Sequence, residues 1–327
     1  MRFLWLAALV ACSTSPPEII GVVPLRPDAS TTTSDAVTTF AVDRVFLGDT
    51  SIDGTPLIDA WTQLGFDLDG LTTTTASTDV CTNPVPHAQV DGVNGIDNAW
   101  GQTILPLLQT AFFQQSVSEP STTAIQQGKW TWIVEITGSS GDRNQSAIGL
   151  SGQVFIGAPL DTPPTFDATL DWPVRPSSLV DPTAIDSSQF QFTEVYVVDG
   201  TIVGRGSDQL LLPLWGLMPT LRVHHPVMAI HPDGTGILGG VLDPGELVAA
   251  FRVAEGNFFG PSCGEFDDTA QILAAQDILS DATNASGTPC NAISIGVRFT
   301  VKRVANPTQI GSDPKPLVDQ CPDAGTD

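Results

Sequence analysis

The chain has 327 residues, enough for one large or two ordinary domains, and 41% hydrophobic residues with a mean hydropathy of +0.11 can build a core, which excludes general disorder. Its 30 Gly and 26 Pro stay below the share, roughly 25–30%, at which composition marks a low-complexity chain. Thirteen basic against 36 acidic side chains leave a net charge of −23, so nucleic acid and anionic lipid headgroups would repel the surface, and nucleic acid is not an expected partner.

Met1 and Arg2 form a short charged start, and the apolar run 3–10 has the length of a secretory h-region, short of the ~20 residues that span a bilayer. Leu9, Val10, Ala11 and Cys12 follow directly. This quartet resembles the lipobox of bacterial lipoproteins, in which a small residue precedes a cysteine that is lipidated before cleavage. The resemblance implies a signal peptide over 1–11, acylation of Cys12 and, with Ser13 rather than Asp behind it, release to the outer membrane. An ordinary signal peptide cut before Cys12 is the alternative, and it would put Leu9 where a small residue is wanted. The anchor would be the acyl chains, each buried CH2 contributing about 0.8 kcal/mol. Residues 12–35, rich in Ser, Thr and Pro and without sustained periodicity, are expected as a tether.

Strand patterns follow over 36–47 and 61–68. A helix is expected over 103–116, with Ile104, Leu107, Leu108 and Ala111 on one stripe and Thr103 as cap, so that Pro106 falls in the first turn. Trp130, Trp132, Val134 and Ile136 alternate in a strand over 129–137. Strands are also expected over 152–156, 209–212 and 221–230. Phe190, Phe192, Tyr196 and Val198 alternate up to Asp199-Gly200, a type I′ turn pair that predicts a hairpin into Thr201, Ile202 and Val203. Asp243, Pro244 and Glu246 punctuate the start of a helix near 243–255, and Asp267 or Asp268 that of another near 267–282. The clearest strand is 293–301, with Ile293, Ile295, Val297, Phe299 and Val301 on one face. Short strands with clustered helices predict a mainly β, α+β fold: an antiparallel β-sandwich or barrel-like sheet with helical insertions, one domain over 36–327. A division near residue 180 is the alternative.

Apart from Cys12, four cysteines remain, and an even number in an exported chain suggests two disulfides. Cys263 with Cys290, bracketing a helix, and therefore Cys81 with Cys321, is the expected pairing. Zinc lacks a CxxC or HxxxH spacing.

The strongest polar constellation joins the Gly65–Gly70 stretch to the run 91–98. Asp67, Asp69, Asp91, Asn94 and Asp97 offer hard oxygens on glycine-bent loops, which suits calcium, although the EF-hand pattern fails at Val93 and Gly95. Ordinary turn chemistry is the competing reading, since 29 of the 36 acids are Asp. GFDLDG, Cys81 and NGIDNAWG together resemble a pattern in uncharacterised predicted lipoproteins of Gram-negative bacteria, over about 40 residues, which implies no activity. Gly260 to Gly264 matches the GxSxG form around Ser262, but no strand precedes it. His224, His225 and His231 are too far apart along a strand to share a metal. Trp130 and Trp132 could stack on a sugar, with core as the commoner fate of paired Trp. The expected protein is therefore a lipid-anchored outer-membrane protein of structural or binding type, recognising a protein or glycan partner. The alternative is a hydrolase of envelope or extracellular polymers working through paired carboxylates, which leave no sequence signature.

Overall fold

A computed structural model describes residues 20–28, 35–83, 89–111, 116–216, 219–258, 269–315 and 317. Among them are ten strands: β1 (Val37–Phe46), β2 (Trp132–Thr137), β3 (Ala147–Ile156), β4 (Phe190–Gln191), β5 (Glu194–Val198), β6 (Thr201–Arg205), β7 (Leu210–Pro213), β8 (Thr220–Ile230), β9 (Thr235–Leu242) and β10 (Ile293–Arg303). Four α-helices accompany them: α1 (Leu105–Ala111), α2 (Ser118–Gln126), α3 (Pro244–Phe258) and α4 (Thr269–Ala274).

β2 pairs with both β1 and β3, so the antiparallel ladder runs β2-β1-β10-β9-β8-β6-β5-β3 and returns to β2. Eight strands thus close into a ring, β4 adding to β3 and β7 to β8. Closure leaves no exposed ladder edge in the ring. The expected β-rich fold with helical insertions is present, in its barrel-like form.

Alternation decides which side chains fill the ring. Ile293, Ile295, Val297, Phe299 and Val301 of β10 join Trp132, Val134 and Ile136 of β2 and Leu238 of β9 in one buried cluster. Trp130 and Trp132 are both buried there, edge to face at 6.0 Å, and Trp132 donates Nε1–H to the Leu211 carbonyl at 2.7 Å. The sugar platform is therefore excluded; these rings are core. Outward faces are buried too, by irregular chain. Phe66 covers Tyr196, Val203, Ala229 and Ile237, while Trp172, Val174 and Leu179 cover Ile133 and Phe155.

The hairpin turn at Asp199-Gly200 forms as expected, with φ of 47° and 76° at its two residues. Glycine matters again at Gly296 of β10, where a Cβ would stand 2.1 Å from the Leu64 carbonyl oxygen. That contact explains why 61–68 is no strand: β1 pairs only with Arg298 onward, and loop backbone occupies the vacated flank. A 3-10 turn, Ala60–Gln63, leads into it. Helix ends also moved. A π turn, Trp100–Ile104, precedes α1, so Thr103 does not cap the helix; it donates instead to Gln89 Oε1. Pro106 follows this turn as the second residue of α1. Asp243 caps α3 by accepting from the Glu246 N–H at 2.9 Å. α4 stops at Ala274 because the chain turns back to pair Ile278 with Ala292. α2 and β9 have no counterpart in the expected elements. Asp49 fixes the start of α2, accepting from the Val117 N–H at 2.5 Å, the Ser118 N–H at 3.2 Å and the Ser116 hydroxyl at 2.8 Å.

The disulfide pairing is corrected. Cys81 bonds Cys290, with Cα atoms 5.1 Å apart, which rules out the expected Cys263–Cys290 and Cys81–Cys321 bridges. Chain proximity was the wrong guide: Thr82 N–H donates to the Thr288 carbonyl and Cys290 N–H to the Thr82 carbonyl, laying two remote segments side by side. Cys12, Ser262, Cys263 and Cys321 lie outside the described residues.

Candidate functional site

The outer wall at β9 and β10 carries the loop residues 64–83 and 89–98, and one buried side chain clamps them there. Asn98 donates Nδ2–H to the Leu64 carbonyl at 3.0 Å, while its Oδ1 accepts from Gly296 N–H at 3.1 Å and Gly101 N–H at 2.9 Å. Ala99 N–H adds a bond to the Ser294 hydroxyl at 2.8 Å. Asp97, next to this clamp, is held inward.

Asp97 is only 2% exposed, and its Oδ2 accepts from the Leu68 N–H at 2.6 Å. The turn that follows is tied by its own acids: Asp67 Oδ1 accepts from Gly70 N–H at 2.7 Å and Asp69 Oδ1 from Leu71 N–H at 2.8 Å. Asp67, Asp69 and Asp97 thereby bring one carboxylate oxygen each within 4.8 Å of one another. Asp91 accepts from Thr73 N–H beside them. Asn94 goes elsewhere; its Nδ2–H donates to the Ile20 carbonyl at 2.9 Å.

Two further groups belong to the site. Asp277 accepts from Ser294 N–H at 2.8 Å and from its hydroxyl at 2.5 Å. Asn284 donates Nδ2–H to Asp69 Oδ2 at 2.8 Å and accepts, through Oδ1, the N–H of Cys81. Sequence reasoning missed both because they lie about 200 residues along the chain, and Asp277 fell within an expected helix. An Asp and an Asn flanking Cys290's partner loop would have been visible only with the disulfide pairing in hand.

Electrostatically the site is one-signed. Burial, then Asp69, Asp277 and Asp91, push the Asp97 carboxyl up to about 10. Burial, then Asp69 and Asp67, take Asp91 up to about 7, and burial takes Asp277 to about 7. Asp67 is raised by burial and by Asp69. Such a set stores like-charge repulsion when ionised, and a divalent cation would remove it. A polymer substrate would not reach the enclosed Asp97, so acid–base work on a glycan chain gains little from this arrangement.

The histidines do not meet. His224 Nε2 pairs with Glu246 Oε2 at 2.9 Å, His231 Nδ1 lies 3.4 Å from the Thr201 hydroxyl, and His225 lines a cleft of about 550 Å³ with Asp67, Arg205 and Asp281. Among the described residues no helix is long and apolar enough to cross a membrane. No protein-family description, curated protein or solved structure matches the chain.

Proposed function

We propose that the chain is an exported, lipid-anchored envelope protein of binding type whose barrel wall takes a calcium ion at Asp67, Asp69 and Asp97. The observation that carries the cation reading is the approach of those three carboxylates to within 4.8 Å. Oxygens about 2.4 Å from a calcium ion stand at most about 4.8 Å apart across it, whereas magnesium at about 2.1 Å asks for a tighter set. Asp91 and Asp277 stand close enough to add charge. The cation's task would be structural: it would join the turn at 67–70, the clamp at 97–98 and, through Asn284, the disulfide loop into one rigid unit on the barrel wall. Its binding would release protons, since the oxygens must ionise, so affinity rises with pH.

Calcium titration of the chelator-treated protein, followed by thermal unfolding, tests the cation. A rise in Tm that saturates and is absent from Asp97→Asn supports it, and an unchanged Tm at pH 8 sinks it. Lipidation is tested separately, by the mass of the mature N-terminus and by loss of envelope partitioning in Cys12→Ala.

A further inference from the structure

Residues 20–28 fall within the stretch whose composition suggests a free tether, yet they lie against the barrel as a strap. Asp67 N–H donates to the Gly21 carbonyl at 2.8 Å, and Asn94 holds the Ile20 carbonyl. Tyr196 donates its hydroxyl to the Pro24 carbonyl at 2.5 Å, and Arg26 pairs with Glu194 at 3.4 Å. Val23 packs on the outer-wall cluster of Phe66, Tyr196 and Val227. From Cys12 to Ile20, the first described residue, the chain advances eight residues. Fully extended, it reaches about 28 Å. Where the strap meets the body, large apolar side chains point outward: Leu25 is 84% exposed, and Val22 and Val93 44% each.

We propose that this strap face is the membrane-facing side of the protein, with Leu25, Val22 and Val93 resting on the bilayer that holds the Cys12 acyl chains. The inference deepens the lipoprotein reading and rests on it. A body of net charge −23 would not approach a bacterial membrane unaided. A short leash attached at one face fixes orientation without any charge attraction, and apolar contact with the interface then adds to it. Trp172 and Leu179 cover β2 and β3 instead, a different part of the ring, where Val180 is 64% exposed; on this proposal that wall is left for a partner.

The full mature lipoprotein is reconstituted in vesicles of phosphatidylethanolamine and phosphatidylcholine, with a photo-crosslinking phenylalanine analogue placed singly at Leu25, Val93 or Val180. All three are surface positions, so the fold is spared. Lipid adducts are expected at Leu25 and Val93 and not at Val180. Inserting 20 Gly/Ser residues between Thr14 and Ser15 lengthens the leash from eight to 28 residues; the reach of a flexible leash grows with the square root of its length, so those adducts fall about twofold. Equal adducts at all three positions, or adducts at Leu25 and Val93 that the insertion leaves undiminished, overturn the proposal. If mass spectrometry finds Cys12 unacylated, the lipoprotein reading fails by itself. The same comparison on a chain beginning at Cys12, ligated through its aminothiol to a lipid thioester, still decides whether the strap face meets the bilayer.

Discussion

Asp97 sits where burial and three acidic neighbours oppose its charge, so at neutral pH the cation-free fold must either hold a proton or bear repulsion. Asp97→Asn keeps the shape and an oxygen for the Leu68 N–H. It is expected to raise the stability of the cation-free protein at pH 7 by on the order of 2–4 kcal/mol and to abolish the calcium response, read by denaturant unfolding with and without calcium. The sign of the pH dependence follows from the same group. Folded-state values raised above 3.8, to about 7 for Asp91 and Asp277 and about 10 for Asp97, mean that stability is full below pH 4 and is lost as pH rises through these values. A second population works the other way. Asp167, Asp181 and Asp281 each accept from the N–H and hydroxyl of the Thr two residues on, which holds them below the ordinary value; their contribution is present above pH 3.8 and lost below it. In chelator, Tm should therefore peak near pH 4–5 and decline toward pH 8, and calcium should cancel the alkaline decline. A flat alkaline limb in chelator would contradict this account.

The loop residues 64–83 and 89–98 hold to the barrel through a few residues whose replacement has distinct consequences. Asn98→Ala removes the partners of buried backbone groups at Leu64, Gly101 and Gly296, at a cost of about 2–4 kcal/mol. Gly296→Ala would drive a methyl into the Leu64 carbonyl and lift the loop from β10 while sparing the inner core. Both variants should speed proteolytic cleavage within 64–98 before the barrel unfolds, with Gly296→Ala also weakening calcium binding. α3 offers a milder comparison: Asp243→Ala loses one cap bond, worth about 1 kcal/mol, and should leave calcium binding unchanged.

Across the whole molecule, closure and the disulfide divide the work of holding distant segments together. The ring joins β1 to β2 and β10, and Cys81–Cys290 closes a separation of 209 residues around it. In the chain-entropy model such a loop contributes about 5 kcal/mol, and measured losses for native disulfides run to about 2–5 kcal/mol. The double variant Cys81→Ala, Cys290→Ala should accordingly unfold at a Tm lower by roughly 10 °C, and its calcium affinity should fall because Asn284 no longer holds Asp69 from a fixed loop. Retained Tm and affinity would show that the barrel alone positions the acids.

Much was legible where the signal is local. Alternation of Ile293 to Val301 and of Trp130 to Ile136 fixed strands and faces, Asp199-Gly200 fixed a turn, and Asp243-Pro244 fixed a helix start, because each depends on residues a few positions apart. Asp67, Asp69, Asp91 and Asp97 were legible as oxygen-rich turns for the same reason. β9 escaped because its glycines suppress the apolar alternation, though they are what lets Phe66 and Val223 approach. The pairing that closes the ring, the partner of Cys81, the enrolment of Asp277 and Asn284, and the laying of the strap on Tyr196 were decided only by the tertiary structure. Each depends on which surfaces meet after burial of the two outer walls, and that free energy is shared among residues hundreds of positions apart rather than written in any window of the sequence.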